Sequence, residues 1–178
     1  MKCFSHTCLF LLIISIDFIN AQTAFSELQI RNGIYYQIDS NEPFTGTITE
    51  KFEDGQERFI TNYKKGKLDG EFIEWYQNGN KSSSGYYENN KLDGELTKWL
   101  ENGQKRFVKN YKKGKLGGQA HQWHLNGEKY FVKIYKDDML NGEVIEWYNN
   151  KQLRYQWKYK NGKMIGERIE WNEDGQKK

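Results

Sequence analysis

From residue 46 onward, apolar and polar positions alternate in short runs of about six residues, and each run ends on a turn signal. A typical unit reads Gly-Glu-x-Ile-x-Trp-Tyr, then a turn such as Gln77-Asn78-Gly79. It continues as Lys-x-Phe-x-x-x-Tyr-Lys and closes with a second turn such as Lys112-Lys113-Gly114-Lys115. Two alternating runs joined through Asn-Gly describe a β-hairpin. The unit recurs without insertion, because Gly46, Gly70, Gly94, Gly118, Gly142 and Gly166 follow one another at intervals of 24 residues. Trp75, Trp99, Trp123, Trp147 and Trp171 stand five residues after the glycine, with Lys51 in that place in the first unit; Tyr63, Tyr87, Tyr111, Tyr135 and Tyr159 stand seventeen after it. A fixed period of this size marks an array whose units bury their apolar faces only by stacking. The expectation is an all-β, single-layer antiparallel meander of six 24-residue hairpin repeats, advancing roughly 9–10 Å per repeat.

Parity decides the turn within a unit. A two-residue Asn-Gly turn would set Trp99 opposite Arg106, whereas a three-residue turn over Glu101-Asn102-Gly103, with a left-handed glycine, pairs Trp99 with Lys105 and Thr97 with Phe107. The second choice is preferred, because it gathers Trp99, Phe107 and Tyr111 on one face, the only burial open to a single-layer sheet. Each repeat glycine is then expected beside the tyrosine of the preceding strand. Gly33 to Ile38 reads as a shortened strand capping one edge, Asp39 to Pro43 as a loop, and Glu167 to Trp171 as an edge strand guarded by Arg168 and Glu170.

The first residues differ from the rest. Lys2 precedes an apolar run from Leu9 to Ile16 and a short polar stretch ending at Ala21, the pattern of a secretory signal peptide spanning 1–21. The run is too short for a membrane span of roughly 20 residues; an N-terminal anchor or a buried strand is the alternative. Cleavage near Ala21 would export the chain to a periplasmic, envelope-associated or secreted location. Residues 22–45 would form a capping segment and 46–178 the array. Both cysteines, Cys3 and Cys8, lie in the leader. The exported part would therefore hold neither disulfide nor thiolate metal site, and would depend on sheet hydrogen bonds and its 16% aromatic residues.

The six copies of Gly-x-x-x-x-Trp with Asn-Gly or Asp-Gly turns and a downstream tyrosine, introduced by Tyr35, Tyr36 and Glu42-Pro43-Phe44-Thr45-Gly46, closely resemble the variant MORN repeats of bacterial proteins, including those described as YwqK-like antitoxins. The likeness runs from Phe44 to Lys178. The resemblance implies the hairpin-repeat fold. For function it implies binding: neutralisation of a partner toxin, attachment to phospholipid, or scaffolding.

No nucleophile arrangement, P-loop or dinucleotide fingerprint occurs. His121 and His124 flank Trp123 and would point to opposite faces of a strand, which suits surface residues better than a metal site. Glu50, Glu74, Glu146 and Glu170 recur four residues after the glycine, as a solvated or cross-paired column would. The tryptophan column is read as scaffold rather than as a stacking platform for sugars or single-stranded nucleic acid. No catalytic residue, cofactor or nucleic-acid partner is expected.

Two surfaces remain. The turns between repeats hold Lys64, Lys65, Lys67, Lys91, Lys112, Lys113, Lys115, Lys136, Lys160 and Lys163 against Glu88, Asp137 and Asp138; the turns within repeats are mostly acidic. A basic rim could orient the sheet on an anionic membrane or envelope polymer, although lysine is also simply a well-solvated turn residue. The other surface is a partner face opposite the tryptophans, assigned Phe72, Tyr76, Leu96, Val108, His124, Val132, Val144 and Tyr148. The third and fourth repeats depart from the pattern at Gly117, Ala120, His121 and His124. The leading expectation is an exported, non-enzymatic scaffold holding a protein partner, the rim being the alternative.

Overall fold

The computed structural model describes residues 22–178, so the expected leader lies outside the described residues. The repeats form one antiparallel meander. Its hairpins are β4 (Gly46–Lys51) with β5 (Glu57–Lys64), and β6 (Lys67–Trp75) with β7 (Lys81–Glu88). Then come β8 (Lys91–Leu92) continuing into β9 (Gly94–Trp99) and paired with β10 (Lys105–Lys112), and β11 (Lys115–Leu116) continuing into β12 (Gly118–Trp123) and paired with β13 (Lys129–Lys136). Last are β14 (Met139–Trp147) with β15 (Leu153–Lys160), and β16 (Lys163–Glu170). Together with β1 (Gln22–Ala24) they make a 14-stranded sheet in sequential order.

The turns have two fixed geometries. Within a repeat, the residue after the tryptophan closes a three-residue loop: Leu100 N–H donates to Gln104 O at 2.8 Å and Gly103 N–H donates to Leu100 O at 2.9 Å. The loop asparagine accepts from the backbone two residues on, as Asn102 Oδ1 does from Gln104 N–H at 3.0 Å, so the expected left-handed glycine turn is present. Between repeats, both central residues have positive φ, such as Lys113 at 51° and Gly114 at 82°, the mirror-image turn that matches strand twist.

One residue overturns the expected face. Trp99 pairs with Lys105 as anticipated, but Phe107 pairs with Lys98 and Thr97 with Val108, because Arg106 bulges out of the ladder. The same irregularity lies at the tryptophan position of the other complete hairpins, occupied by Lys51 in the first. A one-residue offset moves every later side chain to the opposite face. Thr97, Val108 and Trp99 therefore share one side, here called the tryptophan face, where His121 stacks on Trp123 with centroids 6.0 Å apart. The other side, the tyrosine face, carries Phe107 and Tyr111 with Leu96, and Phe72 packs on Tyr87 there at 5.0 Å. Trp99, Phe107 and Tyr111 are thus not on one face.

The glycine expectation also needs correction. Gly70 lies opposite Tyr87 of its own repeat, not beside the tyrosine of the preceding strand. Toward that strand it sits in a second bulge, where an added Cβ would stand 2.8 Å from Asn62 Cβ, at φ +124°. Gly94 is looser, with Tyr86 Cβ at 4.0 Å.

The start of the array is closed in two ways. The edge of β4 is covered by β1, which runs parallel to it through Gln22 opposite Thr47 and Ala24 opposite Thr49. The strand expected at Gly33 to Ile38 exists as β3 (Ile34–Gln37), but it pairs with β2 (Leu28–Arg31) in a separate hairpin and does not take the edge. Leu28 and Tyr35 pack on Phe44, Ile48 and Tyr63, the one cluster of buried apolar residues among the described residues. Tyr35 N–H bonds to Gly66 O at 3.0 Å and Gly66 N–H to Phe44 O at 2.6 Å, locking this hairpin to the first inter-repeat turn. At the far end, Lys178 N–H bonds Glu170 O at 2.9 Å and Trp171 bridges Lys177, pairing the tip of the last strand.

Candidate interaction surfaces

The residues assigned to a partner face divide. Phe72, Leu96 and Val144 lie on the tyrosine face, with Phe72 and Val144 reduced to 7% and 1% exposure by their neighbours. Val108 and Val132 belong to the tryptophan face instead, opposite Thr97 and His121, because of the bulge that precedes them. Tyr76, His124 and Tyr148 stitch one repeat to the next: Tyr76 Oη donates to Trp99 O at 2.8 Å, His124 Nε2 to Trp147 O at 2.9 Å, and Tyr148 Oη to Trp171 O at 3.0 Å. His124 is the histidine version of a tyrosine stitch, and its ring rests 4.6 Å from Tyr130. His121 bonds Gln119 Oε1 at 3.2 Å on the other face, and burial together with Lys129 lowers its pKa. The two histidines thus have separate partners. Among the described residues no cluster of His, Cys, Asp and Glu forms that could hold a metal ion.

Three of the four recurring glutamates are paired with a basic residue, and Glu74 is not among the ion pairs of the described residues. Glu50 meets Arg58 at 3.3 Å, Glu146 meets Arg154 at 2.9 Å, and Glu170 holds Lys178 at 2.7 Å. Exposed pairs of this kind contribute roughly 0–1 kcal/mol each and serve mainly to neutralise the surface.

The lysine rim follows from the turn geometry. Its turns stack by bonds such as Gly114 N–H to Leu92 O at 2.7 Å and Gly162 N–H to Leu140 O at 2.8 Å. The residue before each repeat glycine adds a side-chain acceptor for the first turn amide: Thr45 for Lys65 at 2.9 Å, Asp69 for Asn89 at 3.2 Å, Asp93 for Lys113 at 3.0 Å and Asn141 for Asn161 at 3.2 Å. Gly117 has nothing to offer Asp137 in the same place. Asp69 and Asp93 also put carboxylates on the rim, so it is less basic than the turn residues alone suggest. Lys64, Lys65, Lys112, Lys113, Lys115, Lys160 and Lys163 are exposed, Lys67 is half-buried, and none of them forms an ion pair among the described residues. Lys67, Glu88, Asn89, Lys91 and Lys113 line an open groove of about 490 Å³.

Sequence reading passed over a third group. Lys98, Phe107, Lys109, Phe131 and Lys133 come together on the tyrosine face of the middle repeats. Lys109 Nζ lies 4.8 Å from the Phe107 ring centre and Lys133 Nζ lies 4.0 Å from that of Phe131. The available signal was the tripeptide Phe-Val-Lys in two successive repeats, where the other complete units end in Thr61, Gly85 and Trp157.

The fold and its surfaces define an all-β hairpin-repeat protein whose distinctive side chains lie between the scaffold positions. No protein-family model and no curated protein matches the sequence.

Proposed function

We propose that this chain is an exported, non-enzymatic scaffold of the variant MORN type that holds a protein partner on its tyrosine face. One observation carries this reading: the N-terminal hairpin covers that face at the first repeat, while farther along the same face a band of aromatic rings and unpaired lysines stands open. A mixed aromatic and charged surface suits a protein contact, and neutralisation of a toxin would be one case of it. The test is site-specific photo-crosslinking in producing cells, with the crosslinker at Glu74 on the tyrosine face, at Tyr86 on the tryptophan face, or at Lys113 on the rim. A discrete adduct from position 74 is expected. Adducts confined to position 86 or 113 would refute the assignment.

The unpaired rim supports a second reading, peripheral attachment to an anionic lipid surface or envelope polymer. Rim binding would weaken steeply between low and physiological salt. Vesicle binding unchanged by charge reversal at Lys64, Lys65, Lys112 and Lys113 would eliminate it.

A further inference from the structure

Ala120 is the small residue of its column. Ile48, Phe72, Leu96 and Val144 take the equivalent position in other repeats, yet Ala120 is only 1% exposed although it lies outside the cluster that the N-terminal hairpin forms on Ile48. Its neighbours explain this. Lys133 is its cross-strand partner on β13, and the pairing of Val108 with His121 places Lys109 beside it on β10. The two lysines thus bracket an alanine, their ammonium groups leaning on Phe107 and Phe131, and lysine stems of this length suffice to shield a neighbouring methyl group. Like charges held on one aromatic floor repel. Burial pushes the Lys133 ammonium below its ordinary range, Glu146 opposes that shift and Lys109 adds to it. No carboxylate bonds the pair directly: Glu146, whose charge acts on Lys133 from a distance, is engaged by Arg154 at 2.9 Å, and neither Lys109 nor Lys133 forms an ion pair among the described residues. Lys98, opposite Phe107, extends the positive patch by one strand.

We propose that Lys109 and Lys133, bracketing Ala120 on the tyrosine face, form an anion-binding notch that takes the carboxylates of a short acidic segment of a partner protein, Lys98 flanking it. The ligand is short because the positive patch is short. It runs from β9 to β13, three strand spacings or about 14 Å, which matches four or five residues of extended chain. Beyond it the equivalent positions carry Glu74 on one side and Glu146 on the other. A bilayer or a long polyanion laid on this face would meet those carboxylates, whereas a peptide of a few acidic residues fits between them. Half-buried ammonium groups beside aromatic rings give charge-assisted hydrogen bonds more strength than the solvated rim can.

This inference rests on the protein-partner reading, and its test separates the two. The probe is a fluorescein-labelled hexapeptide of alternating Glu and Ser, titrated by anisotropy into the full chain at low salt, with the Gln-for-Glu peptide, inorganic phosphate and phosphatidylglycerol vesicles as comparison arms. Expected are binding of the acidic peptide, a loss of about tenfold or more in K109Q/K133Q, and little change in K64Q/K65Q/K112Q/K113Q. Amide shifts in the unsubstituted protein should centre on Lys109, Ala120 and Lys133, a readout that needs no variant to fold. Equal binding of the Gln peptide, affinity unchanged in K109Q/K133Q, or shifts centred on the rim would overturn the proposal. Vesicle binding lost in K109Q/K133Q would overturn it in favour of a membrane ligand. Crosslinks from position 74 without peptide binding would sink the acidic notch and leave the partner face standing. Peptide binding without crosslinks would overturn both, because the notch is proposed for a segment of a partner protein held on that face.

Discussion

Gly117 is the gap in a repeated device, and filling it should stabilise the fourth repeat. In four other repeats the residue before the glycine accepts a hydrogen bond from the first turn amide, at 2.9 to 3.2 Å. Gly117 leaves the corresponding amide of Asp137 without a side-chain acceptor. Its backbone does not require glycine: it is absent from the positive-φ residues, and an added Cβ would meet nothing within 4 Å. Gly117→Asn copies the solution at Asn141 and avoids a new charge beside Asp137 and Asp138. Removing a glycine from an extended segment is worth about 0.5–1 kcal/mol, and a new hydrogen bond about 0.5–1.5 kcal/mol. The sum is about 1–2.5 kcal/mol. Gly117→Ala isolates the backbone part, so the difference between Asn and Ala measures the bond. At about 2–4 °C per kcal/mol for a chain of this size, thermal unfolding resolves the two. Hydrogen exchange at the Asp137 amide reads the same bond locally, slowing about tenfold for 1.4 kcal/mol. If the Asn variant is no more stable than the Ala variant and the amide exchanges at an unchanged rate, the capping argument is wrong.

Alkali should unfold the array, because burial raises the phenol pKa of Tyr63, Tyr87, Tyr111 and Tyr135 above the ordinary 10.0. These groups favour the folded state below pH 10, and that advantage is lost as pH rises through their folded values. Tyrosinate absorbance should therefore lag and then appear together with loss of sheet signal; a normal titration with the sheet intact would contradict the burial. Gly66→Ala should cost about 3 kcal/mol or more, from positive φ plus collision with backbone, since its Cβ would stand 2.6 Å from Tyr35 O. Gly94→Ala should cost only the conformational part, about 1–2 kcal/mol, and equal urea midpoints for the two would refute the distinction. Tyr148→Phe removes the bond to Trp171 O and should lose about 1 kcal/mol, whereas replacing Leu100 by Phe at the same repeat position should show no such loss.

The scaffold and the candidate notch draw on different positions. Glycine, tryptophan, tyrosine and the turn asparagines recur because each hairpin must close and stack identically, and the stitches from Tyr76, His124 and Tyr148 hold consecutive repeats at one spacing. Lys98, Lys109 and Lys133 serve none of these needs. They occur where a recurring position has been released from packing, as Ala120 shows by its size.

Much of this was legible in the chain itself. The 24-residue interval, the alternation and the paired turn signals determine hairpins, their order and the left-handed glycine turn within each repeat, because these depend on local φ preferences and on neighbours close in sequence. Which residues share a face was not legible. The extra residue at Arg106 and its equivalents carries no sequence mark, and its bulge forms because the three-residue loop and the strand ladder are satisfied together only with one residue left out of register. That single offset moves Val108 and Val132 to the tryptophan side and brings Phe107, Phe131, Lys109 and Lys133 to the other. The sequence alone determined a stack of hairpins, while the tertiary pairing decided which side chains meet, since in a sheet one residue of register separates one face from the other.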